Sequence, residues 1–131
     1  MLGVIDRVFT FNELIVKIKK DRIQLLQGDE LTWLMRVLAE ETDELRVAQT
    51  TTDQVDALID LTIFALGGLY RLGLSNQQAI DCFNAVMDAN MEKRAGQKVG
   101  RVIGEVADAI KPEGWVGPEQ RIAEILNGYK G

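Results

Sequence analysis

The chain has 131 residues, 47% of them hydrophobic and 27% charged, with a net charge of −5 and no histidine, which suits one globular domain able to bury a core. An acidic chain without a basic run excludes a general nucleic-acid-binding surface, since nothing would release counterions from a phosphate backbone. Cys82 is the only cysteine, which excludes an internal disulfide and a thiolate metal cluster, and any acid–base chemistry falls to carboxylates, lysine or water on a metal.

From the N-terminus, Met1-Leu2-Gly3-Val4-Ile5-Asp6-Arg7 lacks the basic start and long apolar core of a signal peptide. The most apolar run, Ala57 to Tyr70, contains Asp60 and is too short to span a bilayer. Both features predict a cytoplasmic protein with no membrane partner. A first helix is expected over residues 11–19, with Leu14, Ile15 and Ile18 as its apolar face and a turn over 5–9 before it. Residues 21–28 are ambiguous, although Ile23, Leu25 and Leu26 need cover. A second helix begins at Asp29 or Glu30 and runs to about Gln49. After the break at Thr50-Thr51-Thr52-Asp53, with Thr52 or Asp53 as N-cap, a third helix runs to about Leu72 and stops at Gly73.

That third helix is apolar nearly all round, and Gly67-Gly68 costs helix stability while permitting a close helix crossing. So short a chain cannot cover it on every side, which predicts a homodimer or homotetramer. Ser75 caps a fourth helix from Asn76 to about Arg94, with Ile80, Phe83, Val86, Met87 and Met91 turned inward and Cys82 packed as a small core residue. Gly96, Gly100, Gly104, Gly114 and Gly117 then punctuate alternating apolar residues, Val99, Val102-Ile103, Val106 and Ile110. A hairpin, a loose helix and an arm over a neighbour all fit this segment. Pro118 opens a last short helix to about Leu126. The expected architecture is a single all-α domain: a four-helix-bundle-like core over 5–94 and a Gly-punctuated C-terminal arm over 95–131, assembled as a dimer or higher even oligomer.

Carboxylates carry the chemical signal. Glu41 and Glu44 are three apart, Glu40 and Glu44 four apart, and Asp56 and Asp60 four apart, spacings that share a helix face. Leu34, Val37, Leu38, Leu45 and Ala48 mark an inward stripe along which Glu41 and Glu44 lie, and Asp60 is the only charge between Ala57 and Tyr70. Ionised carboxylates facing a core are costly, and several together repel. A divalent cation is the natural counter-charge, and oxygen-only ligands suit Mg²⁺ or Mn²⁺. The blander alternative makes Glu40, Asp43 and Glu44 a solvated face beside Arg36 and Arg46. It has no ready place for Asp60.

The string Glu40-Glu41-Thr42-Asp43-Glu44-Leu45, a short turn, then Asp56-Ala57-Leu58-Ile59-Asp60-Leu61 resembles the signature of the all-α nucleoside triphosphate pyrophosphohydrolases. That superfamily includes MazG-like enzymes, dimeric dUTPases and phosphoribosyl-ATP pyrophosphohydrolases, with E-E-x-x-E on one helix and E-x-x-D on the next. Asn90-Met91-Glu92-Lys93 is similar to the N-M-x-K element of its phage-type branch, and Lys111-Pro112-Glu113-Gly114-Trp115 to that branch's K-P-x-x-W segment. The likeness spans about residues 31–126.

What this resemblance implies is Mg²⁺-dependent hydrolysis of a nucleoside triphosphate, a dNTP above all, to the monophosphate and pyrophosphate. Glu41 and Glu44 would be metal ligands of the first helix, Asp60 the aspartate ligand of the second, and Glu40 a further ligand or the base for the attacking water. The chain departs from the pattern at Ala57, where the family has glutamate; Asp56, one residue earlier, is the substitute. Lys93 would contact phosphate, Asn90 the sugar or phosphate, with Arg94 and Lys111 as further substrate contacts. By itself Lys93 reads as a solvated lysine at a helix end, and Trp33 and Trp115 suit base stacking and plain packing equally. The competing function is a non-catalytic helical dimer that binds metal or nucleotide as a regulator.

Overall fold

Within residues 3–101, 103–104 and 106–128, which the computed structural model describes, the chain is mainly helical, in keeping with the all-α expectation, with one small two-stranded sheet. Among these residues no helix is long and apolar enough to cross a membrane. The chain divides into two compact units, Met1–Ala79 and Ile80–Gly131.

The first unit opens with α1, Val4–Phe11. Asp6 accepts a hydrogen bond from the Gly3 N–H at 3.4 Å and sets its charge against the positive end of the helix. The chain then winds more widely through a π-helical segment, Asn12–Val16, closed by Lys17 in the left-handed region at φ 63°. The helix expected over 11–19 therefore lies earlier, and the turn expected over 5–9 is α1 itself. Val8, Phe9 and Asn12 are buried, whereas Leu14 is exposed and Ile15 is 68% exposed. The π segment shifts side-chain phase relative to a 3.6-residue period, so grouping Leu14, Ile15 and Ile18 on one inward face fails.

Two long helices follow, α2 (Gly28–Val47) and α3 (Thr51–Arg71), and they pack on each other, with α1 against α3. Asp29 and Glu30 in the first turn of α2 and Arg46 in its last complement the helix dipole. The N-cap of α3 is Thr50 rather than Thr52 or Asp53: its backbone is extended and its hydroxyl accepts from the Asp53 N–H at 3.1 Å. Gly68 lies against Leu34, where an added Cβ would come 3.0 Å from Cδ2, and Gly67 against Asn12. The glycine pair thus serves the close approach read from the sequence. Leu34 is buried, and Val37, Leu38, Glu41, Leu45 and Ala48 are half-buried along the expected stripe; Glu44 is exposed.

Gly73, at φ 92°, ends the α3 region as expected, and a Cβ there would collide with the Arg22 carbonyl. The connection between α1 and α2 is tied down nearby. Gln24 N–H donates to Leu72 O at 2.9 Å and Tyr70 Oη to Ile18 O at 2.6 Å. Glu30 receives both Lys20 (2.7 Å) and Arg71 (3.1 Å). Leu25 and Ile23, expected to need cover, are exposed, while Leu26 is half-buried; the connection is held by its backbone and by Lys20 more than by an apolar face.

Helix α4, Asn76–Met91, starts with a reciprocal cap: Ser75 N–H donates to Gln78 Oε1 at 2.9 Å, and Gln78 N–H to Ser75 Oγ at 3.1 Å. Its buried residues are Ala79, Cys82 and Ala89, while Phe83, Val86 and Met87 are exposed and Met91 is 77% exposed. The helix carries two adjacent apolar stripes, and the one with small side chains faces inward. Cys82 packs as expected.

In the second unit, β1 (Arg94–Gly96) pairs antiparallel with β2 (Asp108–Ile110), Arg94 opposite Ile110 and Gly96 opposite Asp108. Of the three possibilities for this segment, the hairpin is the one that forms. Ile110 covers Gly96 so closely that a Cβ would lie 2.8 Å from its Cδ1. Gln97 Nε2 donates to Gly104 O and Val106 O, and Arg101 pairs with Asp108 at 2.7 Å. Val99, Ile103 and Val106 are exposed; Val102 lies outside the described residues. Pro118 caps α5, Glu119–Leu126, whose Ile125 is buried.

Candidate metal centre

Residues 48–50 make so short a connection that α2 and α3 become neighbours, and side chains near the end of one meet those near the start of the other. Glu41 and Glu44 belong to the last turns of α2, Asp56 and Asp60 to the first turns of α3. One carboxylate oxygen from each of Glu41, Glu44 and Asp60 lies within 4.8 Å of the others. Among the described residues no lysine or arginine pairs with any of these three.

Glu41 is the deepest of them. Its Oε2 is closed off from solvent and has no hydrogen-bond partner among the described residues. Burial first, then the Glu44 carboxylate, then Asp60 and Asp56 push its pKa up to about 6. Asp60 is also raised, by burial and then by Asp56 and Glu44. Three converging carboxylates with one orphaned, desolvated oxygen are short of positive charge, and a hard divalent cation fits that donor set. Either a proton or such a cation relieves the strain.

The solvated face is real and shares Glu44 with the cluster: Glu40, Asp43 and Glu44 are all exposed. Asp43 turns outward to Arg46 at 3.3 Å, both well exposed, while Glu41 on the same helix turns in. Asp56 is exposed and outside the group of three, yet close enough for its charge to act on both Glu41 and Asp60. Ala57, where the family pattern has glutamate, is only 2% exposed. Glu40 is exposed and also outside the group.

A cavity of about 370 Å³ lies beside Asp60, its wall formed by Phe11, Asn12, Trp33, Phe64 and Arg71 among others. Trp33 meets Phe64 edge to face at 6.0 Å and carries the Arg71 guanidinium 4.0 Å above its ring. Asn12 and Arg71 were not legible as cavity residues in the sequence. Arg71 looks like a routine helix-end charge, and Asn12 is a polar residue on the inward face of α1, one helical turn beyond Val8.

Asn90, Lys93, Arg94 and Lys111 belong to the second unit. Of these, Lys93 and Lys111 come together at Trp115, each ammonium 5.0 Å from the centre of its ring. Asn90 and Arg94 are exposed and do not join them. No protein-family model matches the chain, and no curated protein matches it.

Proposed function

We propose that this chain is a MazG-like, phage-type nucleoside triphosphate pyrophosphohydrolase that cleaves a nucleoside triphosphate, a dNTP in preference, to the monophosphate and pyrophosphate. One observation carries the reading: Glu41, Glu44 and Asp60 converge from two packed helices with the buried Glu41 Oε2 unpartnered. Such a cluster is costly to the fold and has an evident use in holding Mg²⁺ or Mn²⁺. Bound there, the cation would set positive charge against phosphate oxygens and acidify water. Glu41, Glu44 and Asp60 hold it, and Asp56 extends the acidic field from the cluster's edge.

In the reaction, a water oxygen bonds to the α-phosphorus, the bond from that phosphorus to the bridging oxygen breaks, and pyrophosphate leaves. In this reading Glu40, exposed at the edge of the cluster, accepts the water proton. The cavity beside Asp60, with the Trp33 face at its wall, offers apolar and aromatic cover for a base. Exposed Val4, Phe11, Leu58 and Ile59, with an apolar groove of about 370 Å³ between α1 and α3, support assembly of the bundle as a dimer or higher even oligomer in the cytoplasm. Release of pyrophosphate from a panel of NTPs and dNTPs, with and without Mg²⁺, tests the activity; no release from any member sinks it.

A specific observation favours a second reading. The buried Ala57 leaves the group one family carboxylate short, as in a regulator that binds metal or nucleotide without turnover. Metal-stabilised folding with no product in the same panel would select it.

A further inference from the structure

The second unit presents two apolar surfaces that nothing in its own chain covers. On α4, Phe83, Met87 and Met91 stand four apart, form one row along the helix, and are exposed. Ala89, which is buried, lies on another side. There the chain's later segment returns, the Trp115 indole donating from Nε1 to Ala89 O at 2.7 Å. The Phe83 row is left open. The next row round the helix is acidic: Asn84, Asp88 and, just past the last turn, Glu92. Among the described residues neither of these acids makes an ion pair.

The hairpin has the converse pattern. Lys98-Val99-Gly100-Arg101 is a tight turn, with the Arg101 N–H donating to Lys98 O at 3.0 Å and Gly100 at φ 88°, the left-handed third position of a type II turn. This sets Val99 at the outer corner, 98% exposed, and Ile103 and Val106 are exposed after it. Lys98 and Arg101 flank the valine with positive charge. Two strands of three residues each are marginal in water unless a helix or a further strand covers them. An apolar tip left in water deepens that deficit, and packing on a helix removes it.

We infer that the hairpin tip of one copy packs on the Phe83–Met87–Met91 row of a second copy, which returns its own tip in exchange. Apolar centre then meets apolar centre, and the basic rim of the tip meets the acidic row beside the helix. Neither surface suits itself: two tips would oppose Lys98 and Arg101 to their like, and two helix rows Asp88 and Glu92. Both complementary surfaces belong to one chain, so a second copy matches each of them, and a two-fold axis makes the contact twice. Methionine adapts its shape to what packs on it. One tip and one row fall short of the roughly 20–30 residues a side of a stable interface. The exchange therefore rests on the assembly proposed above from the α1–α3 groove, and reinforces it.

Cross-linking tests the exchange. Met87→Cys and Ile103→Cys are placed on separate chains with tags of different length, both with Cys82→Ala, mixed so that subunits exchange, and treated with a short bismaleimide. A product joining one chain of each kind is expected. A chain carrying both cysteines should link to another chain and not to itself. Ile103→Asp, at a side chain the single chain leaves exposed, should raise the dissociation constant of the oligomer by about tenfold at unchanged helicity, as for an apolar side chain lost from an interface. Lys98→Glu should raise it by about threefold, and adding Asp88→Lys should recover most of that. These last variants keep Cys82 and decide the matter if the cysteine pair fails to fold. Absence of the mixed product in a protein that light scattering shows to be an even oligomer would overturn the inference and leave the groove reading in place, as would a link closing within the doubly substituted chain. An unchanged dissociation constant in Ile103→Asp would overturn it too. A wild type that stays monomeric overturns both readings.

Discussion

Glu41 on α2 and Asp60 on α3 place carboxylate oxygens within 4.8 Å of each other, and Oε2 of Glu41 is closed off from solvent with no hydrogen-bond partner among the described residues. Two anions in that relationship repel across a helix interface that must nevertheless close, so the interface is tightest when something positive sits between them.

Magnesium should therefore raise the melting temperature. A cation that binds only the folded chain at about 100 times its Kd adds about 2.7 kcal/mol. Melting curves in EDTA and in millimolar Mg²⁺ check this. Coincident midpoints would remove the metal-site reading.

Protons should act on the metal-free protein in the same direction. The folded pKa of Glu41, about 6, lies above its ordinary 4.5, so the protonated form favours the fold. The stability this group adds is full below about 4.5 and is lost as pH rises through about 6. The advantage conferred by Mg²⁺ should shrink as pH falls through that window, because protons compete for the same oxygens. Glu30 works in the opposite sense: burial alone would raise it, but Lys20 and Arg71 together hold it below its ordinary value, and its contribution disappears as pH falls below 4.5. Melting temperature against pH in EDTA, for the wild type and Glu41→Gln, separates the two. A wild-type profile identical to that of the variant between pH 4.5 and 6 would refute the role given to Glu41.

Substitutions should sort the carboxylates by function. Asp60→Asn and Glu41→Gln should lose metal affinity and turnover together, by at least about 100-fold. Glu40→Gln should keep the metal and lose about 10²–10⁴ in turnover, the range of a general base. Asp56→Asn should fall between, since it stands at the edge of the group. Full activity in correctly folded Asp60 and Glu41 variants would rule out the assignment.

Assembly should respond to α3. Ile59 is 53% exposed and lines the apolar groove with Phe11 and Val4, so Ile59→Glu should split an even oligomer into chains of 14.6 kDa. Light scattering at micromolar concentration reads this directly. A wild type already monomeric there would defeat the expectation.

Much of the first unit was legible in the sequence because its cues are local. The presence of α2 and α3, the stop at Gly73, the Ser75 cap and the half-buried stripe from Leu34 to Ala48 all follow from spacing and capping chemistry, although the cap of α3 is Thr50 and not Thr52 or Asp53. The convergence of Glu41, Glu44 and Asp60 followed too, because a short connection between long helices leaves little freedom. What failed depends on tertiary context. Asn12 continues the inward face of Val8 and Phe9, and the π segment after it turns Ile15 outward, a phase change no periodic pattern signals. In α4 the pattern offered two stripes, and only packing could choose Ala79, Cys82 and Ala89 over Phe83 and Met91. Asp56 acts on Glu41 and Asp60 by charge from outside the group of three, a side-chain direction that spacing constrains only to within a fraction of a turn. Trp115 offered no sign of its two lysines until the hairpin register was known.

The tethers that join residues 18–24 to the end of α3 also divide the unit by stability. A loop fastened near its middle closes twice instead of once, so its ordering costs more entropy than its ends alone require, and the tethers must offset that cost. The fastening is to the last turn of α3, through Tyr70, Leu72 and the bare face of Gly73, and not to the turns that carry the carboxylates. Fraying of that turn should free the connection while the α2–α3 contact around Glu41 and Asp60, turns away, stays closed, and amide hydrogen exchange faster at residues 18–24 than around Glu41 and Asp60 would show it. Arg71, in that same turn, lines the cavity beside Asp60, so opening there would reach the cavity's wall before its floor.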